Sequence, residues 1–333
     1  MWSRGCILRG MPQPRNDEYE VDEVVADVAR LRIATVNVYF LGLPRKVNGN
    51  GAANPVWVLV DAGLAHGAAE ILRVAGERFG IDSRPAAIVL THGHFDHVGA
   101  LPALLAVWDV PVYAHMAELP FLTGHADFPP PDATVGSGML ARLAPEVPEA
   151  GLDLGDRVQA LPANGRIPSM PTWRWIHTPG HSPGHISLFR STDRLLIAGD
   201  AVVTTDQASV YSSLVQRREL SGPPAYFTID WDKAERSTSI LASLRPAMLA
   251  AGHGEPMSNV TLAADFAALA RDFNRRVRPT HGRYVVQPAY AEGDHVSTLP
   301  VSARSSRVRW GAVSGVAAAT LAGTWLYRRF AKR

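Results

Sequence analysis

"THGHFDHVGA", Thr91 to Ala100, gathers three histidines and an aspartate into the six residues His92 to His97, in a chain with only 12 histidines among 333 residues. Each of these side chains carries polar atoms that need partners once buried, so a packed core does not collect them. A metal centre does. The stretch follows Ala87 to Leu90, an apolar run that reads as a strand. At the end of an extended segment His92 and His94, two apart, project to the same side. Asp96 and His97 fall where a helix begins, with Val98, Leu101, Leu105 and Trp108 at helical spacing. Pro102 sits in that helix's first turn, where its missing N–H does little harm. The aspartate and the last histidine can therefore turn toward a neighbouring point, and one stretch offers two adjacent metal positions.

An ion takes three or four ligands, so others must come from other strand ends. Three segments fit: "HTPGHSPGHISLF" with His181, "RLLIAGDAVV" with Asp200, and "AMLAAGHGEP" with His253. Each is a strand, a small residue, then a lone side chain able to bind metal. His66 and His115 lack that setting and read as ordinary surface or core residues.

Outward from these motifs, Leu31 to Leu43 and Val56 to Val60 are β-branched and aromatic and read as strands. Ala68 to Phe79 has helical spacing. Further strands are expected at Val110 to Ala114, Arg157 to Leu161, Thr172 to His177, Ile186 to Phe189, Arg194 to Ile197 and Ala247 to Ala251. Helices are expected at Trp231 to Leu244 and Val260 to Val277. Two sets of strands, each followed by helices, give an α/β chain with two sheets covered by helices outside.

"VDAG", "HGHFDH", "GHSPGH", "AGD" and "AGHG", in that order, resemble the motifs of the metallo-β-lactamase superfamily across residues 21–277. The resemblance implies an αββα four-layer sandwich with a dinuclear site along one edge of the sheets. It implies that His92, His94 and His181 hold one ion, that Asp96, His97 and His253 hold the other, and that Asp200 bridges them. Asp61 of "VDAG" would steady the histidine loop from outside the ligand set. The pattern is similar to the thioesterase and lactonase branches, with hydroxyacylglutathione hydrolase (glyoxalase II) nearest in "HTPGHSPGH". The basic residues with which that enzyme grips glutathione have no clear counterpart, and the cysteine ligand of the best-known β-lactamases is absent from every motif.

Ligands of nitrogen and carboxylate without thiolate suit two divalent ions, zinc first, with iron or manganese as alternatives. Such a pair brings water to hydroxide near neutral pH and polarises a carbonyl. The expected activity is a metallohydrolase that uses a metal-bridged hydroxide on an ester, thioester or lactone, with Asp96 as acid/base helper. Two other readings use related ligands: a mononuclear iron sulfur-dioxygenase acting on a persulfide, and a phosphodiesterase or nuclease. Net charge is +2, which gives no footprint for nucleic acid, so the expected partner is a small acyl substrate. Substrate choice falls to loops, one proline-rich from Glu118 to Pro148, the other containing Tyr211, Arg217, Arg218, Tyr226, Phe227 and Trp231.

Hydrophobic residues make up 47% and charged ones 19%, which suits a packed globular core. The single cysteine, Cys6, allows no intrachain disulfide and fits a reducing compartment. Residues 1–20 read as a polar leader without the apolar core of a secretory signal, so a cytoplasmic catalytic domain is expected over 21–277. Residues 278–303 read as a connecting segment and 304–333 as a basic-flanked hydrophobic tail. Within that tail Trp310 to Tyr327 carries no charge, and as a helix it spans about 27 Å, just short of a hydrocarbon core. Interfacial aromatics and flanking arginines make it a candidate membrane anchor. Gly311, Gly315, Ala319 and Gly323 form a small-residue stripe suited to self-association.

Overall fold

The structure is a computed structural model and describes residues 19–45, 55–135, 152–205, 218–292 and 295–298. Alternation along short buried strands builds its frame. All three residues of β4 (Val58–Val60) are buried, yet they face two ways. Leu59 packs with Ile71, Val74, Leu101 and Leu104, while Val58 and Val60 pack with Trp173, Leu188 and Ile197. Such two-sided burial marks a strand with one layer above and another below.

The first sheet runs β1 (Tyr19–Val25), β2 (Val28–Ile33), β3 (Val36–Leu41), β4, β5 (Ala87–Val89), β6 (Val112–Ala114) and β7 (Val158–Ala160), in chain order. Its first four strands are antiparallel and the rest parallel. Helices α1 (Ala68–Phe79) and α3 (Leu101–Val107) cover its outer face, with α2 (Phe95–Val98) at its edge. The second sheet has the order β12 (Met248–Ala250), β11 (Leu195–Ile197), β10 (Ile186–Arg190), β9 (Met170–His177), β8 (Arg166–Ile167). Leu195 and Ile197 face the first sheet, whereas Leu196 turns to Leu241, Phe266 and Leu269. Those three belong to the helices Trp231–Ser243 and Leu262–Arg271. The layers are therefore helix, sheet, sheet, helix, the αββα sandwich.

Local chemistry explains the elements. Helix α1 buries Ile71, Val74, Ala75 and Phe79 and stops at Gly80, whose φ of +107° favours glycine. Trp57 stacks on Phe79 with ring centroids 4.4 Å apart and donates its indole N–H to Ser83 Oγ. The helix Trp231–Ser243 is capped by Asp230, whose side chain accepts from Lys233 N–H.

The chain departs from the sequence reading at several points. Leu31 to Leu43 is not one strand: the backbone turns at Ala34, φ +56°, and β2 folds back on β3. Val260 to Val277 is two helices, because Asp272 leaves helical geometry between Arg271 and Phe273–Arg276. The sheet starts at Tyr19, before the expected start at Val21. Packing also continues beyond Val277, since Tyr284 and Ala289 join Ile229, Trp231 and Phe273 in a buried cluster. Residues 1–18 of the leader and the whole tail 304–333, with its hydrophobic helix, lie outside the described residues. Among the described residues no helix is long and apolar enough to cross a membrane.

Candidate metal centre

Five strand ends meet on one edge of the sandwich. Asp61 follows β4, the loop of His92 and His94 follows β5, and His181 follows β9. Asp200 follows β11 and His253 follows β12. The seven residues singled out from the sequence come together in three overlapping groups: His92, His94 and His181; His92, His97 and Asp200; Asp96, His97 and His253. In each group one candidate ligand atom per residue lies within 4.8 Å of the others. Asp200 stands between: its Oδ1 is 3.6 Å from His97 Nε2, and its Oδ2 is 3.3 Å from His253 Nε2 and 3.5 Å from His181 Nε2. Asp96 Oδ2 lies 3.3 Å from His253 Nε2. This crowding needs close backbone approach, and a Cβ on Gly252 would sit 2.0 Å from Asp200 Oδ1.

Hydrogen bonds outside the set fix which ring nitrogen two of the histidines turn inward. His97 Nδ1 donates to Asp61 Oδ2 at 2.9 Å, and His253 Nδ1 donates to the Thr35 carbonyl at 2.7 Å. Both rings thus offer Nε2 to the centre. Asp61 also accepts from the backbone N–H and hydroxyl of Thr91, so it steadies the histidine loop, although its own φ is +60°. His92 Nε2, His97 Nε2, His181 Nδ1 and Asp200 Oδ1 are buried without a hydrogen bond. Three of these residues, His92, His97 and Asp200, form one of the candidate ligand groups, and such a cluster of orphaned atoms is costly unless a cation takes them.

The electrostatics agree. Burial drives His92 and His181 well below the ordinary histidine value, and neighbouring histidines push further. Burial also takes His94 down to about 4. Burial works against charge on His253 too, but Asp200 and Asp96 outweigh it and raise its pKa to about 10. His97 is raised in the same way by Asp200, Asp96 and Asp61. Burial opposes ionisation of Asp200, yet His253 and His97 hold it well below the usual carboxylate range. One half of the site is neutral imidazole, and the other half holds carboxylates against protons that a metal would displace.

The model of the metallo-beta-lactamase superfamily matches residues 56–253, well over half of the chain and every strand end just described. The chain belongs to the metallo-β-lactamase superfamily. Among curated relatives it is 45% identical over 248 residues to the probable metallo-hydrolase YflN of Bacillus subtilis, covering 74% of this chain and 91% of that protein. It is 28% identical to the probable metallo-hydrolase YybB of the same organism, over 56% of this chain and 73% of that one. Among solved structures, the archaeal superfamily protein ST1585 from Sulfolobus tokodaii aligns with TM-score 0.47 and 20% identity, over 74% of this chain and 84% of that one.

In this superfamily member the loops split unevenly around the centre. Phe128 and Phe227 flank His94, with ring centroids at 4.8 and 5.1 Å, and Phe95 lies 6.3 Å from Phe227. Trp231 is instead a core residue packed near Phe273. Arg218 pairs with Glu255 at 2.6 Å, and Tyr211 and Arg217 lie outside the described residues. Burial lifts the Tyr226 phenol, and Asp96 and Asp200 lift it further. His66 is an exposed residue 6.5 Å from Tyr19, and His115 stacks on His177 away from the centre.

Several contributors escaped the sequence reading. His185, the second histidine of "GHSPGH", is held neutral by burial, which takes it to about 3, and its Nε2 accepts the backbone N–H of Asp200. Asn37 and Tyr39 on β3 donate to the Ala251 carbonyl, and Asn37 also reaches Gly254, which frames His253. Glu118 is fully buried between two ligand loops. Of these, only His185 lies within one of the motifs, "GHSPGH".

Proposed function

We propose that this protein is a metallo-hydrolase that carries two divalent ions, zinc by preference, and cleaves an ester, thioester or lactone bond in a small acyl substrate. The observation that carries the reading is Asp200, whose Oδ1 faces His97 and whose Oδ2 faces both His181 and His253, so that it meets members of both ligand groups. A carboxylate so placed is a bridge between two ligand groups. His92, His94 and His181 would hold one ion, and Asp96, His97 and His253 the other. When bound, the pair supplies Lewis acidity and a lowered pKa for coordinated water.

The remaining work belongs to the chain. Asp96 is the open carboxylate of the set, its side chain 17% exposed against 3% for Asp200. Burial resists its ionisation, but His97 and His253 lower its pKa, so at neutral pH it is a carboxylate, with Oδ2 turned to His253 and Oδ1 left to accept a proton. Phe128 and Phe227 give the His94 side an apolar wall, which suits an acyl group.

The test is a panel of thioesters, lactones, β-lactams and phosphodiesters with the zinc-loaded full-length chain and its Asp96→Ala variant. Turnover of one acyl class, reduced on the order of 100-fold or more in the variant, is expected. Hydrolysis confined to phosphodiesters would contradict the reading, as would oxygen uptake on a persulfide with the iron-loaded protein.

A further inference from the structure

Glu118 closes the turn Met116–Glu118 that follows β6, and none of its surface is exposed. Its Oε2 accepts the backbone N–H of Gly93 at 2.9 Å, the residue between His92 and His94. Its Oε1 accepts the Ser182 hydroxyl at 2.6 Å and the Gly184 N–H at 2.7 Å, both in the loop that starts with His181. Two loops from different sheets thus meet on the two oxygens of one carboxylate. The fit is tight, since a Cβ on Gly184 would fall 2.8 Å from Glu118 Cγ and 2.7 Å from its backbone nitrogen. Burying a carboxylate is costly, and three donors from loops that each carry ligands are a specific compensation.

We propose that Glu118 is a positioning residue that sets the separation of the His92–His94 turn from the His181 turn, and so tunes the affinity of the three-histidine site. The inference rests on the reading of that site as a metal site. The other ligand group depends less on it, because Asp61 and the Thr35 carbonyl hold His97 and His253. A carboxylate supporting a ligand from outside the set is worth about 10–100-fold in metal affinity. Ala removes all three acceptor contacts. Gln keeps the volume but offers one accepting oxygen, so one loop stays tied and the other meets an amide that cannot accept.

The experiment follows stepwise zinc binding to the full-length chain by competition with a chelating dye. It compares wild type, Glu118→Gln, Glu118→Ala, and Glu118→Gln in a His181→Ala background. Phe266→Leu, buried in the far helix layer, serves as a control that is merely destabilised. Expected is a loss of about 10–100-fold in one zinc step for Glu118→Ala and a smaller loss in the same step for Glu118→Gln. The other step holds, and Glu118→Gln adds nothing once His181 is gone. Phe266→Leu lowers Tm with both steps intact. If Glu118→Ala fails to fold, the Gln variant alone decides. Equal weakening of both steps in proportion to Tm, or both steps unchanged, overturns the proposal while leaving two metals in place. A wild-type chain that takes up no zinc overturns the metal reading as well.

Discussion

Glu118 is an acid kept from water: burial lifts its carboxyl from 4.5 to about 7 against the pull of Ser182, Gly184 and Gly93. Its folded pKa lies above the unfolded value, so the folded chain binds that proton more tightly. The associated stability is fully present below the unfolded value and is lost as pH rises through the folded one. Across that window the loss amounts to about 3 kcal/mol. Urea unfolding of wild type and Glu118→Gln between those pH values should show the wild-type free energy falling relative to the variant as pH rises. Parallel curves would contradict it. At this scale the candidate ligands that the fold brings together stood out because histidine and aspartate directly after an apolar strand have few other reasons to be there. Glu118 did not, since its partners lie 25, 64 and 66 residues away and two of the three are backbone N–H groups that any sequence supplies. His185 shows the intermediate case: the motif exposed the residue, but only the fold shows that it serves the backbone of Asp200.

The elements position the site by crossing between sheets. Strand β3 belongs to the first sheet, yet Asn37 at its start binds the Ala251 and Gly254 carbonyls beyond β12 of the second. Asn37→Ala would remove two buried cross-sheet bonds, leave the Ala251 carbonyl to Tyr39 and the Gly254 carbonyl to Arg30, and loosen the loop of His253. A loss of about 2 kcal/mol or more is expected, read as a lower urea midpoint at unchanged slope. A change under about 0.5 kcal/mol, the size of an ordinary surface substitution, would show that the cross-sheet bonds do not matter. Elements with strong periodicity were readable, as in α1, where Ile71, Ala75 and Phe79 repeat on one face. The hairpin at Ala34 was hidden because an alanine in left-handed geometry carries none of the glycine, asparagine or proline signals of a turn. The break at Asp272 was hidden too, because apolar residues continue on both sides of it, Leu269 before and Phe273 after.

For the whole molecule, the site is a property of two docked sheets. The first sheet supplies His92, His94, Asp96 and His97, and the second supplies His181, Asp200 and His253. Neither half holds all seven residues, so metal would bind the folded sandwich in preference to the unfolded chain, and loading should stabilise the fold by mass action. The αββα order was legible from the succession of strands and helices, since only a few packings bury every apolar face. The placement of Tyr284 and Ala289 against Trp231 was not, because that segment has neither helical nor strand periodicity of any length. The central claim is that two metal sites sit side by side on one bridging aspartate. Its most direct test is elemental analysis of the full-length chain after zinc loading and removal of free metal. The account predicts two zinc ions per chain in wild type and one in either His181→Ala or His253→Ala. A single ion in wild type, or a count untouched by His253→Ala, would contradict it.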